Sequence, residues 1–399
     1  MKNSLKICLS VLAIAGAVAF VHAQGDQTPI KISRPANTFG MPPIPVSLEG
    51  FTGEVLDALK FDLYVQGFSI VSAADAQYNI TSSGAGVGGR VMDRYGKKEL
   101  LARSYSGSGR AAAHAFANDI VEAITGKPGI SLNRGSTARI AFKVQPAGYG
   151  PGEVYISDFD GRNAQAATSD KAIVASPAWV SGKLALCYNS YALDHNPYIF
   201  YHDLDTGKRK VIARYGGSSI SPSVSPDGTK IAMVLSKGGL PNIYVANIDG
   251  TNVRQLTTDD EDSSPCWSPD SMYIYFATKV NERRTLARVS IAGGDIQRIS
   301  TAGAPNPSEP DVSPDGKWIA FTSQSGSYFN ICVVPIDGGN PQVITSGEDP
   351  SWAPNSRTVV FAKRSAGERY TLSVLDVFTK QAKDIARISG SDSEPAWAK

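Results

Sequence analysis

Three acidic residues hold the same place in a repeated tetrapeptide: Glu309, Asp349 and Glu394 each stand immediately before a proline, where Ser176, Ser221 and Ser264 stand in the other copies. If the copies are arranged around a ring, these six side chains meet at one mouth of its channel. Carboxylates converging on a low-dielectric funnel reinforce one another's field. The chemistry on offer is capture of a basic peptide or a divalent cation. Asp259, Asp260, Glu261 and Asp262 precede the third copy and Glu348 precedes the fifth, adding to that charge. The alternative is a hydrated rim without a role, because acid runs are usually solvated. No resident cofactor is expected, and Ca2+ at the acidic mouth is the one ion the pattern admits.

Other groupings carry less chemistry. Gly84-Ala85-Gly86-Val87-Gly88-Gly89 matches GxGxxG, but Arg90 to Leu101 alternates and turns at Tyr95-Gly96 instead of opening a helix that could hold pyrophosphate. A glycine-rich hairpin is expected there. No GxSxG elbow occurs, and no stretch remains for a hydrolase domain. His114, His195 and His202 share no metal-ligand spacing and are expected to be structural or exposed. Cys187, Cys266 and Cys332 lie in apolar runs without CxxC spacing and read as small buried hydrophobes. The sequence nominates no catalytic residue and no metal ligand set, so an enzyme is not expected.

The elements that must position the acids are written in the spacing of the copies. Pro177, Pro222, Pro265, Pro310, Pro350 and Pro395 recur every 40 to 45 residues, the period of a four-stranded propeller blade. After the anchor comes a turn, as in Ser225-Pro226-Asp227-Gly228 and Ser313-Pro314-Asp315-Gly316, where proline presets φ and glycine accepts a positive one. An apolar strand follows (Ile231 to Val234, Tyr273 to Phe276, Trp318 to Phe321, Thr358 to Phe361), then an alternating strand and a short outer one. Residues 139 to 168 carry the last three strands of such a unit without its anchor, and Glu394 to Lys399 carry the first strand alone. One part at each end completes a sixth blade, which removes the exposed edges an open array would leave.

Ahead of the ring, residues 39–130 read as a small α+β domain. Helical spacing runs over Phe51 to Gly67 and Arg110 to Thr125, with Gly126 as C-cap; strands are expected at Phe68 to Val71, Gln77 to Thr81, Val87 to Asp93 and Glu99 to Tyr105. The fold class is thus a small α+β N-terminal domain followed by an all-β six-bladed propeller, residues 131–399, closed by pairing of N- and C-terminal strands. Lys2 and Lys6 before the apolar run Ile7 to Val21, with Val21-His22-Ala23 before Gln24, mark residues 1–23 as a secretory signal peptide. Residues 24–38 read as a flexible arm.

Composition agrees. Of 399 residues 42% are hydrophobic and 19% charged, which excludes a disordered chain, and Gly 38 with Pro 24 favours short elements over long helices. Lys and Arg total 39 against 37 Asp and Glu; losing the leader with Lys2 and Lys6 leaves a neutral chain. Neither nucleic-acid binding nor attraction to anionic lipid is expected. No direct membrane insertion is expected, and the mature protein should be soluble, exported and monomeric.

The signal peptide, the small α+β domain and the S-P-x-[WV]-S-P-D-G repeats together resemble the TolB family, the periplasmic component of the Tol/Pal system. The most specific stretch is Ala113-His114-Ala115-Phe116-Ala117-Asn118-Asp119-Ile120-Val121 through Ile124-Thr125-Gly126, followed by Arg139-Ile140-Ala141-Phe142, which is similar to that family's helix leading into the first propeller strand. The resemblance implies a binding protein that docks a Pal-like peptidoglycan-associated lipoprotein at the propeller channel mouth. It also implies a TolA-like inner-membrane partner for the arm, and a role in outer-membrane integrity and cell division. Glu309-Pro310 resembles a Glu-Pro anchor of the family, whereas acids at 349 and 394 are particular to this chain. The other reading of the scaffold is a peptide- or ligand-binding sensor or a hydrolase accessory protein.

Overall fold

The structure, a computed structural model, describes residues 39–399 except 85, 108, 131–138, 147–149, 259–260, 366–368, 386–387 and 389. The leader and arm lie outside the described residues, as do Asp259 and Asp260. Residues 39–399 form one compact unit.

Its N-terminal part runs β1 (Ile44–Glu49), α1 (Gly53–Tyr64), β2 (Phe68–Ile70), β3 (Tyr78–Ser82), β4 (Val87–Asp93), β5 (Lys98–Tyr105) and α2 (Gly109–Thr125). The sheet order is β2-β1-β3-β4-β5, with β1 parallel to both neighbours and β3 to β5 antiparallel. Leu59 and Leu63 of α1 and Phe116 and Ile120 of α2 are buried in one cluster with Val46, Ile80 and Val91 of the sheet. That is the apolar stripe each helix must cover.

Strand β1 was not expected, because Pro42, Pro43 and Pro45 argue against a strand there. Pro45 is tolerated because its carbonyl, which accepts the Gln77 amide (2.9 Å), carries the pairing its missing N–H cannot. Helix α1 ends at Tyr64, short of the expected Gly67, which takes φ +87 and closes a turn onto the Tyr64 carbonyl. A Cβ at Gly67 would strike the Arg357 guanidinium of the propeller, so this glycine permits the close approach of the two parts. Helix α2 ends as expected, with Gly126 at φ +69 and its amide on the Glu122 carbonyl (2.8 Å). The glycine-rich segment joins β3 to β4 as an antiparallel hairpin, with Ser82 opposite Gly89.

Six four-stranded antiparallel sheets follow. We number the blades by their first, innermost strands: Val174–Trp179, Ser219–Val224, Glu261–Trp267, Pro307–Val312, Glu348–Trp352 and Ser391–Trp397. The sixth blade joins the two ends of the chain: Ser391–Trp397 pairs antiparallel with Arg139–Gln145, followed by Glu153–Asp158 and Gln165–Ala166. The second strands are buried almost throughout, as strands covered on both faces must be. Tryptophans that end a first strand tie it to the preceding blade: the Trp179, Trp267 and Trp352 indoles donate to the Ala396, Ser223 and Asp311 carbonyls.

The N-terminal part rests on blades 5 and 6. Phe61 and Val65 of α1 bury with Phe142, Phe159, Val360 and Trp397. Beside them His114 is buried, its Nδ1 2.6 Å from Asp62 of α1, with Asp160 of blade 6 facing its other nitrogen at 3.4 Å. This histidine is structural. Cys187, Cys266 and Cys332 are free and buried, and burial pushes the Cys187 thiol up to about 12 and the Cys332 thiol up to about 11. Thiols held protonated in this way are poor nucleophiles.

Candidate docking site at the channel mouth

Each first strand contains its Ser-Pro, Glu-Pro or Asp-Pro pair as a bulge. In blade 1, Ala175 faces Asn189 and Ala178 faces Cys187, so Ser176 and Pro177 together oppose Tyr188 alone; the same slip recurs in all six blades. Proline cannot donate to a ladder, and a two-for-one bulge is where a sheet tolerates it. The residue before the proline adopts left-handed backbone every time: φ is +52 at Ser176, +53 at Ser221, +52 at Ser264, +51 at Glu309, +56 at Asp349 and +52 at Glu394. Such φ values are uncommon for residues other than glycine, and proline further restricts the residue before it. Six repetitions mark a built feature.

The bulges bring the six prolines and the six preceding residues to one cavity of about 180 Å3. The residue before the proline sits inside the innermost strand, which begins one to three residues earlier. Of the added acids, Glu261 turns to Lys279 (3.6 Å) and the buried Asp262 to the Thr257 hydroxyl; neither they nor Glu348 line the cavity. Glu348 is half-buried, and burial, first of all, raises its carboxyl above the ordinary value. Among the described residues no group of three or more His, Cys, Asp and Glu is arranged to hold a metal ion.

The three mouth acids are not idle on a hydrated rim. Glu309 accepts the Asp349 amide (3.3 Å), Asp349 accepts the Glu394 amide (3.3 Å), and Glu394 accepts the Ser176 amide (2.5 Å). Each carboxylate thus holds the left-handed residue of the next blade, and the relay runs from blade 4 through 5 and 6 to blade 1. Partners come from one register position, the second-strand residue beside the bulge. Lys143 there pairs with Glu394 (2.7 Å), Thr322 donates to Glu309 (2.6 Å), and Asn189 accepts the Ser221 amide (2.9 Å). Sequence reasoning missed these partners. Their signal was a polar residue ending an otherwise apolar run, as in Ile140-Ala141-Phe142-Lys143 and Ile319-Ala320-Phe321-Thr322. One step along the channel, Asp311 accepts the Trp352 amide (2.7 Å) and pairs with Lys399 (2.6 Å).

Register places the loops between second and third strands on the same face. Ser190 lies opposite Val174 and Leu235 opposite Ser219, so the loops that follow rise beside the mouth. They carry Leu193 (53% exposed) and Leu240 (45%), while Tyr328 (76%) stands at the corresponding turn of blade 4. An acid-lined opening with an exposed apolar rim suits protein docking. A cavity of about 240 Å3 between α2 and blade 6 is larger, but its Arg110 is already paired with Asp160.

The sequence matches the TolB beta propeller domain family over residues 121–399. It is 30% identical over 177 residues to the Tol-Pal system protein TolB of Anaeromyxobacter sp. (strain K), covering 44% of this chain and 39% of that protein. The corresponding protein of Anaeromyxobacter dehalogenans (strain 2CP-C) is 32% identical over 180 residues, again 44% and 39%. The match thus spans about two-fifths of the length of these curated relatives. The crystal structure of TolB from Acinetobacter baumannii superposes with a TM-score of 0.77 at 25% identity, over 91% of this chain and 98% of that one. A putative TolB from Agrobacterium tumefaciens shares the fold at 19% identity and TM-score 0.52, over 64% and 91%.

Proposed function

Since the chain belongs to the TolB beta propeller domain family, we propose that it is a periplasmic adaptor of a Tol-Pal system that docks a Pal-like peptidoglycan-associated lipoprotein on the channel mouth. On this reading it supports outer-membrane integrity and division by binding, not catalysis. One observation carries it: six bulges converge on a single preformed opening, and loops on the same face of the ring expose Leu193, Leu240 and Tyr328. Preformed concave surfaces with few polar groups and an apolar border are where partners bind with little reorganisation. Export follows from the leader, and no helix among the described residues is long and apolar enough to cross a membrane. The arm, residues 24–38, is the segment we assign to a TolA-like partner.

Replacing the acids is a poor first test, because they also staple the blades. Leu193→Glu with Leu240→Glu changes only exposed side chains. The double variant is expected to melt as the parent does and to lose about tenfold or more in affinity for a purified Pal-like lipoprotein domain, the scale of one well-buried interface anchor. Unchanged affinity removes the docking face.

A further inference from the structure

Negative charge at the mouth exceeds the positive charge beside it. Facing Asp349 are Glu309 from the first strand of blade 4, Glu394 from that of blade 6, and Glu348 on its own strand. Tyr370 and Arg364 of blade 5 face Glu348, and Lys143 of blade 6 is engaged by Glu394. Glu309 Oε2 lies 3.3 Å from the Asp349 amide, and both side chains line the one cavity of about 180 Å3, so their carboxyl groups share a small space. Two ionised carboxylates confined there repel each other, and a proton held on one lets it donate to the other. These two residues are also the first links of the relay, through the Asp349 and Glu394 amides.

We propose that the proton shared by Asp349 and Glu309 is a clasp, making the channel mouth a pH-responsive surface: blades 4, 5 and 6 are held at the rim while it is present and loosened when it leaves. The consequence for partner affinity rests on the docking reading above; the clasp itself does not. Burial, then the charges of Glu309, Glu394 and Glu348, push the Asp349 carboxyl well above its ordinary value. The native state therefore keeps a proton that the unfolded chain has already lost. The stabilising contribution is complete below the ordinary aspartate range and drains away as pH rises through the raised value. Residues such as Asp227 and Asp270, whose carboxyls are lowered by the Ser225 and Ser268 hydroxyls, act in the opposite sense, so only a difference between variants isolates the clasp.

Asp349→Asn supplies that difference. Its amide nitrogen donates to Glu309 at every pH, and its oxygen still accepts the Glu394 amide. Melting of the full chain is compared with that of the variant from about pH 4 to about pH 8. The two should coincide at the acid end, and the variant should lead by about 2–4 °C at the alkaline end. Curves that stay parallel overturn the clasp. Glu309→Gln offers the same donor from the other side and should reproduce the gap, which guards against a variant that merely fails to fold. Affinity for a purified Pal-like lipoprotein domain is then measured at both ends. Binding that changes with pH for the parent alone links clasp to docking, and an equal dependence in both proteins breaks that link. Absence of binding at either pH overturns the docking reading, with the clasp still decided by the melting curves.

Discussion

Two halves of one ring use the same backbone and different side chains. In blades 1 to 3 the bulge residue is Ser176, Ser221 or Ser264; in blades 4 to 6 it is Glu309, Asp349 or Glu394, all at φ between +51 and +56. A serine hydroxyl is too short to span to the next blade, and where an amide needs holding the second strand supplies Asn189. The carboxylates do span, and their relay ends on Ser176, crossing the blade in which two distant pieces of chain meet without a covalent connection. The longer acids stand on the side where the toroid has its seam. They therefore combine two tasks, holding the seam and charging the mouth, and those tasks conflict electrostatically at Asp349.

The comparison breaks most severely if the seam strand is removed. A chain ending at Ser393 loses Glu394, Trp397 and Lys399, keeps the pairs to Lys143, Val144 and Gln145, and leaves Arg139 to Phe142 without an inner neighbour. Cooperative thermal unfolding should be lost, as expected for an opened edge; unchanged melting would count against closure through blade 6. Next in size is Glu394→Ala, which strands Lys143 and the Ser176 amide. A cost of about 2–3 kcal/mol in denaturant unfolding is expected for one partner of a largely buried pair. The matching change on the other side, Ser221→Ala, removes a hydroxyl without a spanning role and should stay within about 0.5 kcal/mol. Equal costs for the two would erase the distinction between the halves.

Much of this was legible without coordinates. The anchors Pro177 to Pro395 gave blade number and seam because a blade is a unit of nearly constant length, and the acids were found because they share a repeat position. Their local geometry was not legible. Proline disfavours left-handed backbone in the residue before it, so nothing local pointed to six such residues; only pairing with the second strand imposes the bulge. Lys143, Thr322 and Asn189 were hidden for the same reason, since their partnership depends on register between strands. Strand β1 was hidden by Pro45, whose missing donor would have spoiled a strand had the neighbouring Gln77 amide not found its carbonyl. Glu261 and Asp262 looked equivalent to Glu348 by proximity in sequence, yet they stand three and two residues before Ser264, where Glu348 directly precedes Asp349, and they meet Lys279 and Thr257.

Hydrogen–deuterium exchange with and without a purified Pal-like lipoprotein domain addresses the docking face most directly. Protection should appear in 191–197, 236–241 and 348–350, the rim loops and the acid sector. Protection confined to the turns at Asp227-Gly228 and Asp315-Gly316, which lie at the other end of the first strands, would contradict the assignment, as would no protection at all.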